Sequence, residues 1–209
     1  ENGATTVFNL TYDGTQLKSF TSADGLEYTS LTLDGSGNVT KMDIRDHNDY
    51  ITYTYAYTNG VPVTGTVKTV HKIGGEPDDV TQDDVLTYTV VNNQVTKIKK
   101  QMKVIDSEET VTLSYNSAGN LEKVILDGEE AFNVLFTWGT KKPGFPTMSK
   151  WVLDVGYSLQ FFAKNEMLKA FYDFPGTQFD YELETNYTYD NDGYPLTSDD
   201  GETKLKFEY

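Results

Sequence analysis

Apolar and polar residues alternate with a period of two along most of the chain. Within residues 51–57, Ile51, Tyr53, Tyr55 and Tyr57 share one face of a strand, and smaller residues occupy the other. A period of two is typical of a β-strand with one face toward the core. Val, Thr and Tyr recur throughout, and these residue types favour a pleated sheet. The pattern therefore predicts a mainly all-β protein.

Turn-forming sequences separate the predicted strands at intervals of about 10 residues, which is typical of an antiparallel all-β fold. Pairs such as Asp24-Gly25 and Asn59-Gly60 supply the positive φ angles that a two-residue hairpin requires. We expect a long antiparallel meander of repeated hairpins that forms a twisted open sheet or partial barrel, because flat sheets of many strands are unusual. Residues 1–209 are expected to form a single domain.

The predicted hairpins are copies of one another. In residues 33–42 and 115–124, an apolar or aromatic residue enters the turn, glycine follows four positions later, and apolar residues follow at positions six and nine. Two such residues, Val39 and Met42, would lie on opposite faces of a regular strand. Either a β-bulge after the turn returns both to the core face, or the first residue only covers the turn.

The turn glycines of these hairpins are expected to adopt positive φ angles, as in a type I turn closed by a left-handed residue. The three glycines concerned are Gly37, Gly119 and Gly193.

The hairpin pattern aromatic-Asp/Asn-x-x-Gly-x-Leu resembles the YD-repeat, or RHS-type, hairpin. Residues 187–195, with the sequence Tyr-Thr-Tyr-Asp-Asn-Asp-Gly-Tyr-Pro, resemble the near-C-terminal signature of YD-repeat-like envelope lipoproteins from gut Gram-negative bacteria. The resemblance covers residues 8–138 as repeats and residues 178–209 as the terminal signature. It implies a mainly β fold, a lipidated N-terminus and no established activity.

The same resemblance implies a location in the bacterial cell envelope, in the periplasm or at the cell surface. The chain has no cysteine for lipid attachment, so we expect it to begin after that residue in a lipid-anchored precursor. Membrane contact is expected only through that anchor. The sequence also departs from the family at Leu196, where threonine is usual.

Residues 155–171 interrupt the strand pattern. Apolar residues recur there at intervals of three to five, and residues 166–170 have good helix propensity. A strand interpretation stays open, because residues 155–161 also alternate. We predict one helix over residues 155–171 that packs across an open face or end of the sheet, after a proline-containing loop at residues 141–146.

The charge balance narrows the choice of partners. Seventeen Lys and Arg residues against 32 Asp and Glu residues give a net charge of −15, which argues against nucleic acid and anionic membranes. Alternating turns of a meander would also collect acidic residues at one end of the sheet, as in residues 43–49, 76–79 and 106–109. This rim either provides solubility and protected edges or attracts cations or a basic partner.

Motifs for catalysis or cofactor binding are absent from the sequence. His47 and His71 have no metal-site spacing, no serine lies in a nucleophile elbow, and no glycine-rich phosphate loop occurs. Asp190 opens a segment similar to a calcium loop, although a turn explains that segment equally well. We expect no cofactor and no metal. A carboxylate pair on the sheet, as in a glycoside hydrolase, stays open because the 32 acids permit many pairs.

The remaining candidate site consists of aromatic residues beside turns or the long loop, namely Trp138, Trp151 and Tyr194. Such rings either stack on a sugar or close the open end of the sheet as lids. Together, these features predict a noncatalytic binding or spacing module of the envelope, with a glycan or an envelope protein as its partner. The alternative is a hydrolase with a carboxylate pair on the concave face of the sheet.

Overall fold

The computed structural model describes residues 5–128, 131–155 and 159–209, and its architecture is all-β. Strands account for 59% of its residues, which confirms the predicted mainly all-β fold. The first eight strands are β1 Phe8–Asp13, β2 Gln16–Ser22, β3 Glu27–Leu33, β4 Val39–Asp46, β5 Asp49–Thr58, β6 Val61–His71, β7 Asp79–Val91 and β8 Gln94–Met102. The remaining strands are β9 Ser107–Tyr115, β10 Leu121–Asp127, β11 Phe132–Trp138, β12 Met167–Asp173, β13 Tyr181–Glu184, β14 Asn186–Tyr189, β15 Pro195–Asp199 and β16 Lys204–Lys206.

Consecutive strands are neighbours within each of two sheets. Strands β1 to β13 follow one another in a single 13-stranded sheet, and β14 to β16 form a second sheet of three strands. The 13-stranded sheet is antiparallel and open, with β1 and β13 as its edge strands. The predicted meander and its open sheet are confirmed.

Contacts within the chain define two compact units. Unit 1 consists of the chain up to Tyr88 together with Lys99–Glu108, and unit 2 consists of Thr89–Ile98 together with Glu109–Tyr209. Each unit is described by itself below. The expected single domain over residues 1–209 stays a prediction.

A β-bulge follows the turn in the copied hairpins. In the β3–β4 hairpin of unit 1, the register shifts at Thr40, so Val39 and Met42 are both buried, with 2% and 3% exposure. The β9–β10 hairpin of unit 2 has the same register shift, at Glu122. The bulge therefore explains the three-residue spacing of apolar residues, since one extra residue returns both side chains to the core face.

The turn glycines have the conformation that the repeat predicts. Their φ angles are 77° at Gly37, 83° at Gly119 and 80° at Gly193. Only glycine adopts this left-handed region without a steric penalty, so the prediction of positive φ is confirmed at all three positions.

The first residue of each of these turns caps the turn with its side chain. Asp190 Oδ1 accepts hydrogen bonds from the backbone N–H groups of Asp192, at 2.9 Å, and Tyr194, at 2.8 Å. The amide oxygen of Asn116 accepts the corresponding two bonds, at 3.0 and 3.1 Å, in the β9–β10 turn. An uncharged side chain performs the same task, so turn formation accounts for the carboxylate of Asp190.

A tyrosine or tryptophan from a later strand donates a hydrogen bond to the carbonyl of a residue that follows a turn. In unit 1, Tyr57 Oη donates to Val39 O at 2.8 Å. In unit 2 the bonds are Tyr115 to Val95, Trp138 to Leu121, Tyr187 to Met167 and Tyr209 to Pro195. Four of the five acceptors are the residues at which a bulge begins. A bulge interrupts the ladder of backbone bonds, and the aromatic donor satisfies the carbonyl. We call these five bonds the aromatic ladder.

The predicted helix over residues 155–171 is reduced to one turn of 3-10 helix, Leu159–Phe162. Residues 156–158 lie outside the described residues. From Met167 the chain forms β12, which pairs with β11 and β13, and Ala170 is 2% exposed on the core face. Pairing on both sides outweighs the good helix propensity of residues 166–170. Among the described residues, no helix is long and apolar enough to cross a membrane.

Acidic residues collect at one end of the sheet in unit 1. The turns after β2, β4 and β6 lie at the same end because successive strands are antiparallel. These turns and their flanks carry Asp24, Asp46, Asp49, Glu76, Asp78 and Asp79. Exposed ion pairs such as Lys72–Asp78, at 3.1 Å, contribute little to stability.

Replacement of Gly37 by alanine should destabilise the protein by about 1–3 kcal/mol, because a Cβ atom is strained at this positive φ. Gly35 lies in the same turn, lacks a positive φ and has open space around its Cα atom. The Gly35→Ala variant is therefore the matched control and should differ little from the wild type. Urea unfolding measures both free energies, and equal effects would contradict the left-handed turn.

Replacement of Tyr57 by phenylalanine should lower the free energy of unfolding by about 1–3 kcal/mol, because the carbonyl of Val39 loses its donor. The control is Tyr12→Phe, since Tyr12 is 50% exposed and forms no hydrogen bond of this kind. Chemical unfolding of the two variants side by side tests the aromatic ladder. Indistinguishable stabilities would show that water replaces the bond without cost.

Candidate functional site

The connection between β11 and β12, residues 139–166, departs from the repeat. The copied hairpins have short turns, whereas this connection is long and contains Pro143 and Pro146. Proline lacks the N–H group that strand pairing needs. Its apolar side chains are instead buried, among them Trp151, Leu153 and Phe161. We call the described residues 139–155 and 159–166 the covering segment.

A buried asparagine attaches the covering segment to the β9–β10 turn. Asn120 is 1% exposed, and its Oδ1 accepts a hydrogen bond from the backbone N–H of Lys164 at 2.7 Å. Its Nδ2 donates to Asn165 Oδ1 at 2.8 Å. Both polar ends of a buried amide are therefore satisfied by the covering segment, which fixes the position of that segment over this turn.

The covering segment encloses a cavity of about 270 Å³ in unit 2. This volume lies just below the range of pockets that hold drug-sized ligands. Four aromatic rings line it, from Tyr115, Trp138, Trp151 and Phe162. Amide and hydroxyl groups come from Asn93, Gln94, Thr147 and Ser149, and amino groups from Lys150 and Lys164. The lining thus combines flat apolar surfaces with hydrogen-bonding groups.

The structure brings together two of the three aromatic residues that the sequence singles out. Trp138 and Trp151 line the same cavity. Trp138 is half-buried, and its Nε1 donates to the carbonyl of Leu121 as part of the aromatic ladder. Trp151 is 4% exposed, so it is an interior residue rather than an exposed platform.

The indole N–H of Trp151 has no hydrogen-bond partner. Nε1 is buried and unbonded within the described part of the chain, whereas the backbone N–H of Trp151 donates to Ser149 Oγ at 3.0 Å. A buried donor without an acceptor costs about 1–3 kcal/mol, and such groups are rare in folded proteins. Trp151 therefore contributes its ring to the cavity wall, while its unbonded N–H group lies in the packed interior around that cavity.

Tyr194 lies apart from this cavity, in the β14–β15 turn. Its ring is 38% exposed, packs 5.2 Å from the ring of Tyr209, and has Lys142 Nζ 3.6 Å from its centroid. The rings of Tyr194 and Tyr209 and the amino group of Lys142 stabilise one another. Tyr194 does not contribute to the site formed by the two tryptophans.

A pair of carboxylates does not line the cavity. Among the described residues that surround it there is no aspartate or glutamate. Glu166 lines a separate cavity of about 10 Å³, with room for one water molecule at most. Its Oε1 accepts a hydrogen bond from Tyr189 Oη at 3.2 Å, and burial together with this carboxylate raises the pKa of Tyr189 to about 12.

The two histidines lie in unit 1. His71 Nδ1 is 2.7 Å from Asp49 Oδ1. His47 Nδ1 is 2.7 Å from Asp46 Oδ1, and this hydrogen bond raises the pKa of the imidazole. One ligand atom each from His47, Asp46 and Glu27 lie within 4.8 Å of one another. Exposed acidic groups often approach one another at turns, so this arrangement alone does not define a metal centre.

A row of aromatic rings near the β12–β13 hairpin is a surface that the sequence analysis missed. Tyr172 and Tyr181 face each other across the two strands, and their rings stack at 4.5 Å. Phe174 and Phe132 extend the row at centroid distances of 6.2 and 5.7 Å. Only the strand pairing reveals this row, because its members are distant in sequence.

Comparisons with known proteins show similarity at the level of the fold. No family model matches the sequence, and no curated protein matches it. The chain is similar to the structure of a porin-like protein from Bacteroides uniformis ATCC 8492, with a TM-score of 0.55, 14% identity, and coverage of 92% of this chain and 80% of that one. It is also similar to a porin-like protein from Bacteroides vulgatus ATCC 8482, with a TM-score of 0.56, 13% identity, and coverage of 96% and 91%.

Substitution of each tryptophan by phenylalanine should separate their roles. Trp138→Phe removes the donor of an aromatic-ladder bond and should cost about 1–3 kcal/mol through the unpaired carbonyl of Leu121. Trp151→Phe removes a donor without a described partner, but it leaves a void where the side chain is only 4% exposed, and that void has a cost of its own. Thermal and urea unfolding compare each variant with the wild type. Unchanged stability of Trp138→Phe would contradict its place in the aromatic ladder.

Proposed function

We propose that the protein is a noncatalytic saccharide-binding protein of the bacterial cell envelope. It binds one or two sugar rings in the cavity beneath the covering segment. The observation that carries this proposal is the cavity itself, which both tryptophans line together with amide, hydroxyl and amino groups.

The lining chemistry suits a sugar. A pyranose ring has an apolar face that packs on an aromatic ring and hydroxyl groups that need donors and acceptors. Trp138 and Trp151 provide flat surfaces, of the kind that packs well against rings. Asn93, Gln94 and Ser149 provide amide and hydroxyl groups, each able to donate and accept. A purely apolar ligand would leave these groups unpaired.

Two observations support the envelope location. The repeats and residues 187–195 resemble YD-repeat-like envelope lipoproteins, and that resemblance includes a lipid anchor on the precursor. The chain also shares its fold with proteins described as porin-like from Bacteroides, and porins are proteins of the outer membrane.

The cavity lining supports a noncatalytic role. Glycoside hydrolysis generally requires two carboxyl groups about 5–9.5 Å apart on either side of the scissile bond. The described lining of the cavity contains no carboxyl group. The described lining of the small cavity contains one, that of Glu166. Binding without turnover is therefore the function that this arrangement favours over hydrolysis.

Intrinsic fluorescence provides a direct test, because the chain has only two tryptophans and both line the cavity. We expect titration with neutral and acidic mono- and disaccharides to give a saturable change in tryptophan emission for at least one of them. Calorimetry with Trp151→Phe should show about tenfold weaker binding of that sugar, because the smaller ring offers the sugar less surface to pack on.

Tyr194→Phe is the matched control for this experiment, because Tyr194 lies outside the cavity. It should bind the sugar as the wild type does. The absence of saturable binding across the whole panel would contradict a saccharide-binding function. Release of sugar product during long incubation with pure protein would contradict the noncatalytic part.

A further inference from the structure

The cavity in unit 2 has a charge opposite to that of the chain. The protein has a net charge of −15, yet the charged side chains in the described lining of this cavity are two lysines, Lys150 and Lys164. The covering segment that supplies both contains four lysines against one aspartate and one glutamate. Positive charge is thus concentrated in the segment that lines the cavity.

The two amino groups are placed by the groups around them. Lys150 Nζ lies 5.3 Å from the centroid of the Trp151 ring. Lys164 extends across the β9–β10 turn, where a Cβ atom on Gly119 would lie 2.6 Å from its Nζ. The absence of a side chain at Gly119 therefore leaves room for this amino group at the cavity wall.

Neither amino group forms an ion pair with a described residue, a property that they share with Lys97, Lys141 and Lys142 but not with Lys169 and Lys204 of the same unit. Lys169 Nζ lies 3.0 Å from Glu182 and 2.9 Å from Glu184, and Lys204 Nζ lies 2.8 Å from Asp199. In a chain with 32 acidic residues, a lysine can readily be given an acidic neighbour. Lys150 and Lys164 are available to pair with a group that is not part of the chain.

Building on the saccharide-binding function above, we propose that the ligand is an anionic saccharide whose acidic group pairs with Lys150 and Lys164. Both lysine side chains are exposed and line the cavity, while the Trp151 ring is buried in the cavity wall. The site therefore offers cationic donors near water and a flat apolar surface away from it. A sugar ring with an acidic substituent matches both, since its charge stays near water and its ring and hydroxyl groups enter the cavity.

Uronic acids and sulfated sugars both carry such a group, and matched ligands distinguish them. The probes are digalacturonic acid, its dimethyl ester, galactose 6-sulfate and galactose, each titrated by tryptophan fluorescence and calorimetry. We expect digalacturonic acid to bind at least about tenfold more tightly than its neutral ester, which is the discrimination that one charge-assisted hydrogen bond provides. Tighter binding of galactose 6-sulfate than of digalacturonic acid would assign the acidic group as a sulfate.

The variants Lys150→Gln, Lys164→Gln and the double variant test the residues. The double variant should bind digalacturonic acid and its ester with equal affinity, while affinity for the ester stays as in the wild type. Lys97→Gln is the control, because Lys97 is an exposed lysine of β8 outside the cavity lining, and it should retain the preference. Circular dichroism confirms that each variant is folded.

A salt series on the wild type provides a readout that requires no variant. Affinity for the anionic probe should fall as salt rises, and affinity for the neutral ester should not, because exposed charges are screened by ions. Equal affinities for anionic and neutral probes would overturn this inference and leave saccharide binding intact. Binding of none of the probes would overturn both.

Discussion

The aromatic ladder is the interaction on which the regularity of this sheet depends. Each β-bulge places two apolar residues, such as Val39 and Met42, on the core face, but it also interrupts the backbone ladder. A buried carbonyl without a donor would cost about as much as the burial of one of these side chains gains. The hydroxyl group of Tyr57 satisfies that carbonyl by donating a hydrogen bond to it. The bulge therefore depends on the aromatic residue of the later strand. Tyr115, the aromatic residue that enters the β9–β10 turn, takes part in the aromatic ladder through its bond to Val95.

The candidate site lies where the aromatic ladder is still present but the covering segment replaces the short hairpin turn. Trp138 pairs with Met167 at the start of β12 and donates to Leu121, as a tyrosine does in other hairpins. Between these two positions, the covering segment replaces a tight turn. Its apolar residues need a surface to pack on, and the hairpin turns of unit 2 provide one through Asn120. The cavity is the space that remains between the irregular segment and the regular strands.

The repeat could be predicted from the sequence because its signals are local. The glycine four residues after the entering residue is required by the positive φ angle at that position. The spacing from Val39 to Met42 follows from the one extra residue of the bulge. The strand β12 could not be predicted in this way. Its residues have helix propensity, and only the pairing with β11 and β13 decides their conformation.

The candidate site could be predicted only in part, because some of its features are local in sequence and others depend on the fold. The sequence points to both tryptophans through their position beside the long loop, and the structure places them in one cavity. The burial of Trp151 was not predictable, because it depends on how the covering segment folds back. Tyr194 had the same local signal, but its neighbours in space are Tyr209 and Lys142, which satisfy its ring without a ligand.

The overall charge also constrains the size of an anionic ligand. Repulsion from a net charge of −15 acts over about one Debye length, roughly 8 Å at physiological salt. A long polyanion would extend from the cavity onto this acidic surface and lose much of what it gains from Lys150 and Lys164. A terminal sugar residue, or a short oligosaccharide, places its acidic group beside the two lysines and little charge elsewhere. The contrast between a basic cavity mouth and an acidic chain therefore favours recognition of chain ends over recognition of a continuous polyanionic strand.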